Sequence, residues 1–148
     1  IDSSNIRPVN DDKTGNLRQR VLLLPKNPDA SCAILRKAFK NISGADIAII
    51  INDSVGRAWR NGTVGIAIGT AGIDALLNMN GHPDLFDRPL KATQIGLADE
   101  LAAAASVLMG AANEGYPVVH IRGYVGGQGQ GQGSASDLIR AQEQDLFR

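Results

Sequence analysis

The stretch IIINDSVGRAWRNG, residues 49–62, runs from three isoleucines into an acid, a hydroxyl and two arginines within a few positions. Asp53 and Ser54 offer a carboxylate and a hydroxyl side by side. Oxygen donors of this kind suit Mg²⁺ or Mn²⁺; Mg²⁺ usually takes one or two carboxylates and completes its shell with water and substrate phosphates. Arg57 and Arg60 could clamp phosphate or carboxylate oxygens in a planar fork that lysine does not match. Together these are parts of a phosphoryl-transfer site, where positioning and charge neutralisation carry the catalysis. The same residues also suit a plainer role, an N-capping aspartate with two solvated arginines. Residue types alone leave both readings open.

Such chemistry needs a strand to deliver it. ADIAIII, 45–51, is apolar on both parities and rich in β-branched residues, as in a strand covered on both faces. Ligands of open α/β sheets sit beyond the carboxyl ends of strands, which is where this reading puts Asp53 and Ser54. Upstream, 1–19 is polar and turn-rich, and RVLLL, 20–24, reads as a short buried strand closed by Pro25. A helix is predicted over 30–42, capped by Asp29 and ended by Gly44, with Ile34, Leu35, Ala38, Phe39 and Ile42 facing the core. VGIAIG, 64–69, alternates small and β-branched residues and reads as a strand that lets a neighbour approach closely.

Further along, a short helix is expected over 73–79 and a loop over 80–89. An alanine-rich helix over 90–109 would span on the order of 30 Å. Ile95, Ala98, Leu101, Ala102, Ala105 and Leu108 form its core stripe, and Gly110 ends it. PVVHI, 117–121, is a strand candidate, and 134–147 an amphipathic helix with a serine or aspartate cap. The glycine-rich run between them, 123–134, lacks a following Gly-Lys-Ser/Thr and reads as a connector, not a phosphate loop.

A chain of 148 residues with 43% apolar content can bury one core, so a single domain over 1–148 is expected, and its alternating strand and helix segments suit an α+β class, a layered α/β arrangement with a mixed sheet flanked by helices. Fifteen basic and fifteen acidic residues cancel, which argues against a nucleic-acid partner. No apolar run approaches the ~18 residues of a membrane span, and the lone Cys32 cannot form an internal disulfide, so the expected compartment is the cytoplasm. His82 and His120 have no Cys or His at zinc-ligand spacing, and Cys32 has no evident base nearby. No catalytic side chain is therefore assigned beyond the metal and phosphate sites. Asp99 and Glu100 read as exposed or helix-pairing acids, with a third metal ligand as the other possibility. The chain begins at Ile1, which leaves room for an upstream segment.

IDSSN at 1–5, LLLPKNPDASCAILRKAF at 22–39, ADIAIIINDSVGRAWRNGTVGIAIG at 45–69, ADELAAAASVLMG at 98–110, PVVHIRG at 117–123 and the ending SASDLIRAQEQDLFR occur in this order. They cover nearly the whole chain and resemble the coenzyme F420-0:gamma-glutamyl ligase family, of which this would be the C-terminal portion of a domain. The resemblance implies an α+β enzyme, usually a homodimer, that uses GTP and Mg²⁺ or Mn²⁺ at two sites. Such an enzyme joins L-glutamate to the lactyl carboxylate of F420-0 through an acyl phosphate. It implies that Asp2 and Asp53 share one cation and that Ser54 touches a second. Asn5 and the stretch Val107, Leu108, Met109, Gly110, Ala111, Ala112, Asn113 and Glu114 match nucleotide-binding positions. Two carboxylates 4 Å apart repel by about 1 kcal/mol even in water, a conflict that a shared cation removes. Trp59 could stack on a guanine or deazaflavin ring or pack against the sheet. Two other readings remain, a ligase of the same chemistry acting on a different carboxylate and a non-catalytic nucleotide-binding or dimerisation fragment.

Overall fold

The computed structural model describes residues 6–10, 17–21, 23–124, 131 and 133–145. The class is α+β, as expected. Its strands form three separate antiparallel pairs where one mixed sheet was anticipated. Strand β1 (Ile6–Asn10) pairs with β2 (Leu17–Val21). Helix α1 (Pro28–Ser43) leads to a long hairpin of β3 (Ile49–Arg57) and β4 (Arg60–Ala71), after which β5 (Leu77–Asn78) pairs with β6 (Gln94–Ile95). Helix α2 (Leu97–Met109) follows, and two 3₁₀ turns, Ala135–Leu138 and Gln142–Gln144, complete the described elements.

Helix α1 starts with Pro28, whose fixed φ suits the first helical position. The cap is Asn27, which accepts from the Ala30 N–H at 3.0 Å, and not Asp29. Gly44, at φ 74°, ends the helix as expected. Only its first turns are seated, with Cys32 fully buried and Pro28 against Gly69. The stripe expected in the core faces solvent instead: Ile34 is 70% exposed and Ile42 85%. Periodicity identified the apolar face correctly, but within the described residues no element lies over it.

Residues 49–57 stay extended well beyond the isoleucines, so Asp53 and Ser54 sit in the middle of β3 and not past its end. They pair with Ile66 and Gly65 across the hairpin. The close approach anticipated for 64–69 is present. A side chain at Gly65 would run into Ser106 Oγ and come within 2.8 Å of the Ala102 carbonyl oxygen, and one at Gly69 would meet Pro28 at 2.6 Å. These glycines let α1 and α2 rest directly on β4. The small core they create comprises Ala67, Ala75, Ala98 and Ala102, with Ile50 and Leu138 packed against it.

Register passes from Ile51 opposite Gly69 to Asn52 opposite Ala67, leaving Ile68 as an extra residue in β4. Such a bulge changes which N–H groups face away from the partner strand. Two of these groups are met by carboxylates. The Ala67 N–H donates to Asp99 Oδ1 at 2.8 Å, and the Thr70 N–H to Asp29 Oδ1 at 2.8 Å. Each acid belongs to the first turn of a helix, so each helix is pinned to the strand edge at its N-terminal end.

Other expectations are corrected. The expected strand over 20–24 is realised only as far as Val21; Leu23 and Leu24 are 86% and 62% exposed. The short helix over 73–79 is absent, since Leu77 and Asn78 are committed to the pair with β6. For the same reason the alanine-rich helix begins at Leu97 and not at 90. PVVHI forms no strand and Val118 is 78% exposed, because nothing among the described residues pairs with it. The terminal helix is replaced by the two 3₁₀ turns, although its serine cap is real. Ser134 Oγ accepts from the Ser136 N–H, and Asp137 accepts from the Ser134 N–H.

Candidate nucleotide and metal site

Asp53 is half-buried and Ser54 exposed. The Ser54 N–H donates to Asp53 Oδ1 at 2.8 Å, which fixes the carboxylate over its own backbone and leaves Oδ2 for a partner from elsewhere. A carboxylate beside a hydroxyl fits, in kind, part of the shell of a hard cation that keeps several waters. Among the described residues no group of three or more His, Cys, Asp or Glu side chains stands ready to hold a metal. Asp2 and Asn5, the other metal and nucleotide positions read from sequence, lie outside the described residues.

Arg57 and Arg60 are brought together as a cross-strand pair at the tip of the hairpin. Arg57 Nη2 donates to the Asn61 carbonyl oxygen at 3.4 Å. Directly opposed like charges repel, so an anion between the two guanidinium groups would relieve the pair. Arg57 lies four positions beyond Asp53 along the strand, about 13 Å at strand rise, so the arginines and the acid would address different parts of an extended ligand.

The neighbour of Asp53 was missed in the sequence and provides the link across the site. Asn52 Nδ2 donates to the Ala102 carbonyl oxygen at 3.3 Å and to Ser106 Oγ at 3.2 Å, and lies 3.5 Å from Met109 Sδ. Strand alternation turns Asn52 toward α2 and Asp53 to the opposite side. Met109 in turn lines an open depression of about 400 Å³ together with Gly110, Gly115, Tyr116 and Pro117. The expected nucleotide stretch and the expected metal residues are thus joined by one asparagine and one methionine. Gly110, at φ 72°, ends α2 and donates its N–H to the Ser106 carbonyl oxygen at 3.0 Å. Beyond it, Glu114 Oε2 accepts from the Ala112 N–H at 2.8 Å. That bond, with a second from its own backbone N–H, holds the Glu114 carboxyl below its ordinary range.

The family model described as F420-0:Gamma-glutamyl ligase matches residues 1–123. The chain belongs to this ligase family. It is 50% identical over 133 residues to the coenzyme F420:L-glutamate ligase of Methanocaldococcus jannaschii, covering 90% of this chain and 53% of that protein. To the protein of the same name from Methanothermobacter thermautotrophicus it is 43% identical over 125 residues, 84% of this chain and 50% of the relative. To that of Archaeoglobus fulgidus it is 38% identical over 148 residues, 100% of this chain and 54% of the relative. The chain spans about half the length of the curated relatives it matches.

For this family member, Asp29 and Asp99 are the other acids that sequence reading misjudged. Asp99 is an acceptor for the edge of β4 and not a free acid. Asp29 gathers three bonds, from the Thr70 N–H, the Ala135 N–H at 3.1 Å and Ser134 Oγ at 2.7 Å. Burial works against its ionisation, yet these bonds outweigh it and hold the carboxyl below its ordinary value of 3.8. Burial, then the charge of Asp29, raises the Cys32 thiol above its ordinary range despite a bond with the Ile51 backbone, in keeping with an inert side chain. No described helix is long and apolar enough to cross a membrane.

Proposed function

We propose that the natural protein carrying this chain is a GTP- and divalent-cation-dependent ligase that joins L-glutamate to the lactyl carboxylate of coenzyme F420-0. The observation that carries the reading is the family match over residues 1–123, with relatives named coenzyme F420:L-glutamate ligase at up to 50% identity. An oxygen of the acceptor carboxylate attacks the γ-phosphorus of GTP, the bond to the GDP oxygen breaks, and an acyl phosphate forms. The glutamate amine then attacks the acyl carbon, phosphate departs, and the amide remains after loss of a proton.

Asp53 and Ser54 would supply oxygens to Mg²⁺ or Mn²⁺, with Asp2 as a second carboxylate, and Asn5 and 107–114 would hold the nucleotide. When bound, the cations would neutralise triphosphate charge, the chief requirement of phosphoryl transfer. Arg57 and Arg60 would take an anionic group of the acceptor or of glutamate. The contact of Met109 with Asn52 sets the nucleotide stretch beside the strand that carries Asp53, on the face opposite the carboxylate. A cytoplasmic homodimer accompanies the reading.

The test uses the full-length natural protein with F420-0, GTP, Mn²⁺ and L-glutamate, and the glutamylated product is measured by mass spectrometry. Asp53→Asn is expected to reduce product formation by about a hundredfold or more, the scale of lost electrostatic stabilisation at a transferring group, with an unchanged thermal melt. GTP cleavage that appears only with another carboxylate would favour the different-acceptor reading. GTP binding without phosphate release would favour a non-catalytic module.

A further inference from the structure

We propose that the tip of the β3–β4 hairpin holds the acceptor, with Arg57 and Arg60 on the phosphodiester of F420-0 and Trp59 beneath its flat deazaflavin ring. This rests on the reading above that F420-0 is the acceptor, and it decides which of the acceptor's groups meets which residue. Strand alternation, counted from Asp53, puts Val55 and Arg57 on the face of β3 turned away from α2. Residues directly opposed across an antiparallel pair share a face, so Ile66, Val64 and Arg60 join them there. One strip therefore runs from a carboxylate, over the half-buried Val55, Val64 and Ile66, to two exposed arginines and the turn that carries Trp59.

The arginines differ from the ion-paired cations of the chain. Arg36 and Arg88 each meet an aspartate at 2.7 Å. Among the described residues no carboxylate pairs with Arg57 or Arg60, and the sequence holds no acid between Asp53 and Asp74. The bond from Arg57 to the Asn61 carbonyl oxygen, at 3.4 Å, is long and readily exchanged. Guanidinium forks match the oxygens of a phosphate group, so a phosphodiester is a fitting anion to lie between the two.

The order of groups along the ligand makes the assignment. In F420-0 the lactyl carboxylate is followed by the phosphodiester, then the ribityl chain, then the ring. Along the strip the order is Asp53, the arginines, Trp59. Four bonds separate the phosphorus from a carboxylate oxygen, about 5 Å in an extended chain. An arginine side chain spans five bonds from Cα to Cζ, about 6 Å, so from a position about 13 Å along the strand it reaches back to a phosphodiester whose carboxylate lies at the acid. The ring then arrives at the turn. Trp59, the one tryptophan of the chain, is 85% exposed there and holds φ 54°, a left-handed conformation that is costly for a bulky residue and typical of positions kept for function.

The experiment measures equilibrium binding to the full-length natural protein by calorimetry, with GDP and Mn²⁺ present so that no turnover occurs. The ligands are F420-0 and the uncharged deazaflavin that ends in a free ribityl alcohol and lacks the phospholactyl arm. Arg57→Gln and Arg60→Gln should each weaken F420-0 by about tenfold and leave the uncharged compound unchanged. Trp59→Ala should weaken both ligands by the same factor, about fivefold. All three side chains are exposed, so the thermal melts should match that of the parent. Arginine variants that weaken both ligands alike would put the ring at the pair, and variants that bind F420-0 normally but need more glutamate in turnover would give the pair to the amino acid; either result overturns the assignment. So does an unchanged affinity in Trp59→Ala, or a parent protein that binds neither ligand. F420-0 held in this way by a protein that makes no glutamylated product would keep this inference and remove the ligase reading. Glutamylation with parent-like binding in all three variants would do the reverse.

Discussion

The two halves of the β3–β4 hairpin share one ladder and differ in almost everything else. In the half formed by 65–71, Gly65, Ala67, Gly69 and Thr70 are buried, two helices rest on the strand, and carboxylates meet its outward N–H groups. In the other half, every residue from 56 to 63 is exposed and the arginines face each other across the turn. Asp53 and Ser54 lie at the boundary. The difference shows that a packed base can carry an exposed arm, so chemical groups are positioned without being buried.

Substitutions in the two halves should separate these roles. The largest effect is expected for Gly65→Val, whose side chain has no room beneath Ser106 and the Ala102 carbonyl. A loss of about 3 kcal/mol, the upper range for overpacking, should appear in chemical denaturation, and a variant as stable as its parent would mean that α2 is not seated on β4.

Next comes Asp29→Ala, which strips the Thr70 N–H of its acceptor in a buried position, for a loss of about 2 kcal/mol near neutral pH. The pH dependence has a definite sign. The folded carboxyl titrates below the unfolded value near 3.8, so the advantage of the parent over the variant is complete above that value and disappears as pH falls through the folded one. An advantage that grows in acid would contradict the hydrogen-bond geometry.

The smallest effect belongs to the tip. Gly62 has φ 81° and nothing within 4 Å of a side chain placed there, so Gly62→Ala should cost only the left-handed backbone penalty of about 1 kcal/mol. A larger loss in the same denaturation series would show that the tip is packed in solution.

Local rules read from the sequence held best where neighbouring residues settled the outcome. Gly44 and Gly110 end their helices, the serine at 134 caps its turn, and the small residues of 64–69 admit close neighbours. The failures came from partners distant in the chain. Asp29 reads as a cap, but Pro28 and Asn27 already perform that task and free the acid for Thr70 and Ser134, beyond any local pattern. Residues 90–96 continue the composition of α2, yet Gln94 and Ile95 are claimed by β5, and Gly96 was the local signal of the true start. Of the candidate site, Asp53, Ser54 and the stretch 107–114 were named from the sequence, and their roles stand as proposals. Asn52 was not, because only its contact with Met109 gives it a role.

The acids that meet the outward N–H groups of β4 have a consequence for association between molecules. An open strand edge is a template for another strand. Here two of the donors such a newcomer would need are already committed within the chain, at Ala67 and Thr70. A strand added at that margin would have to displace both carboxylates before it could pair there.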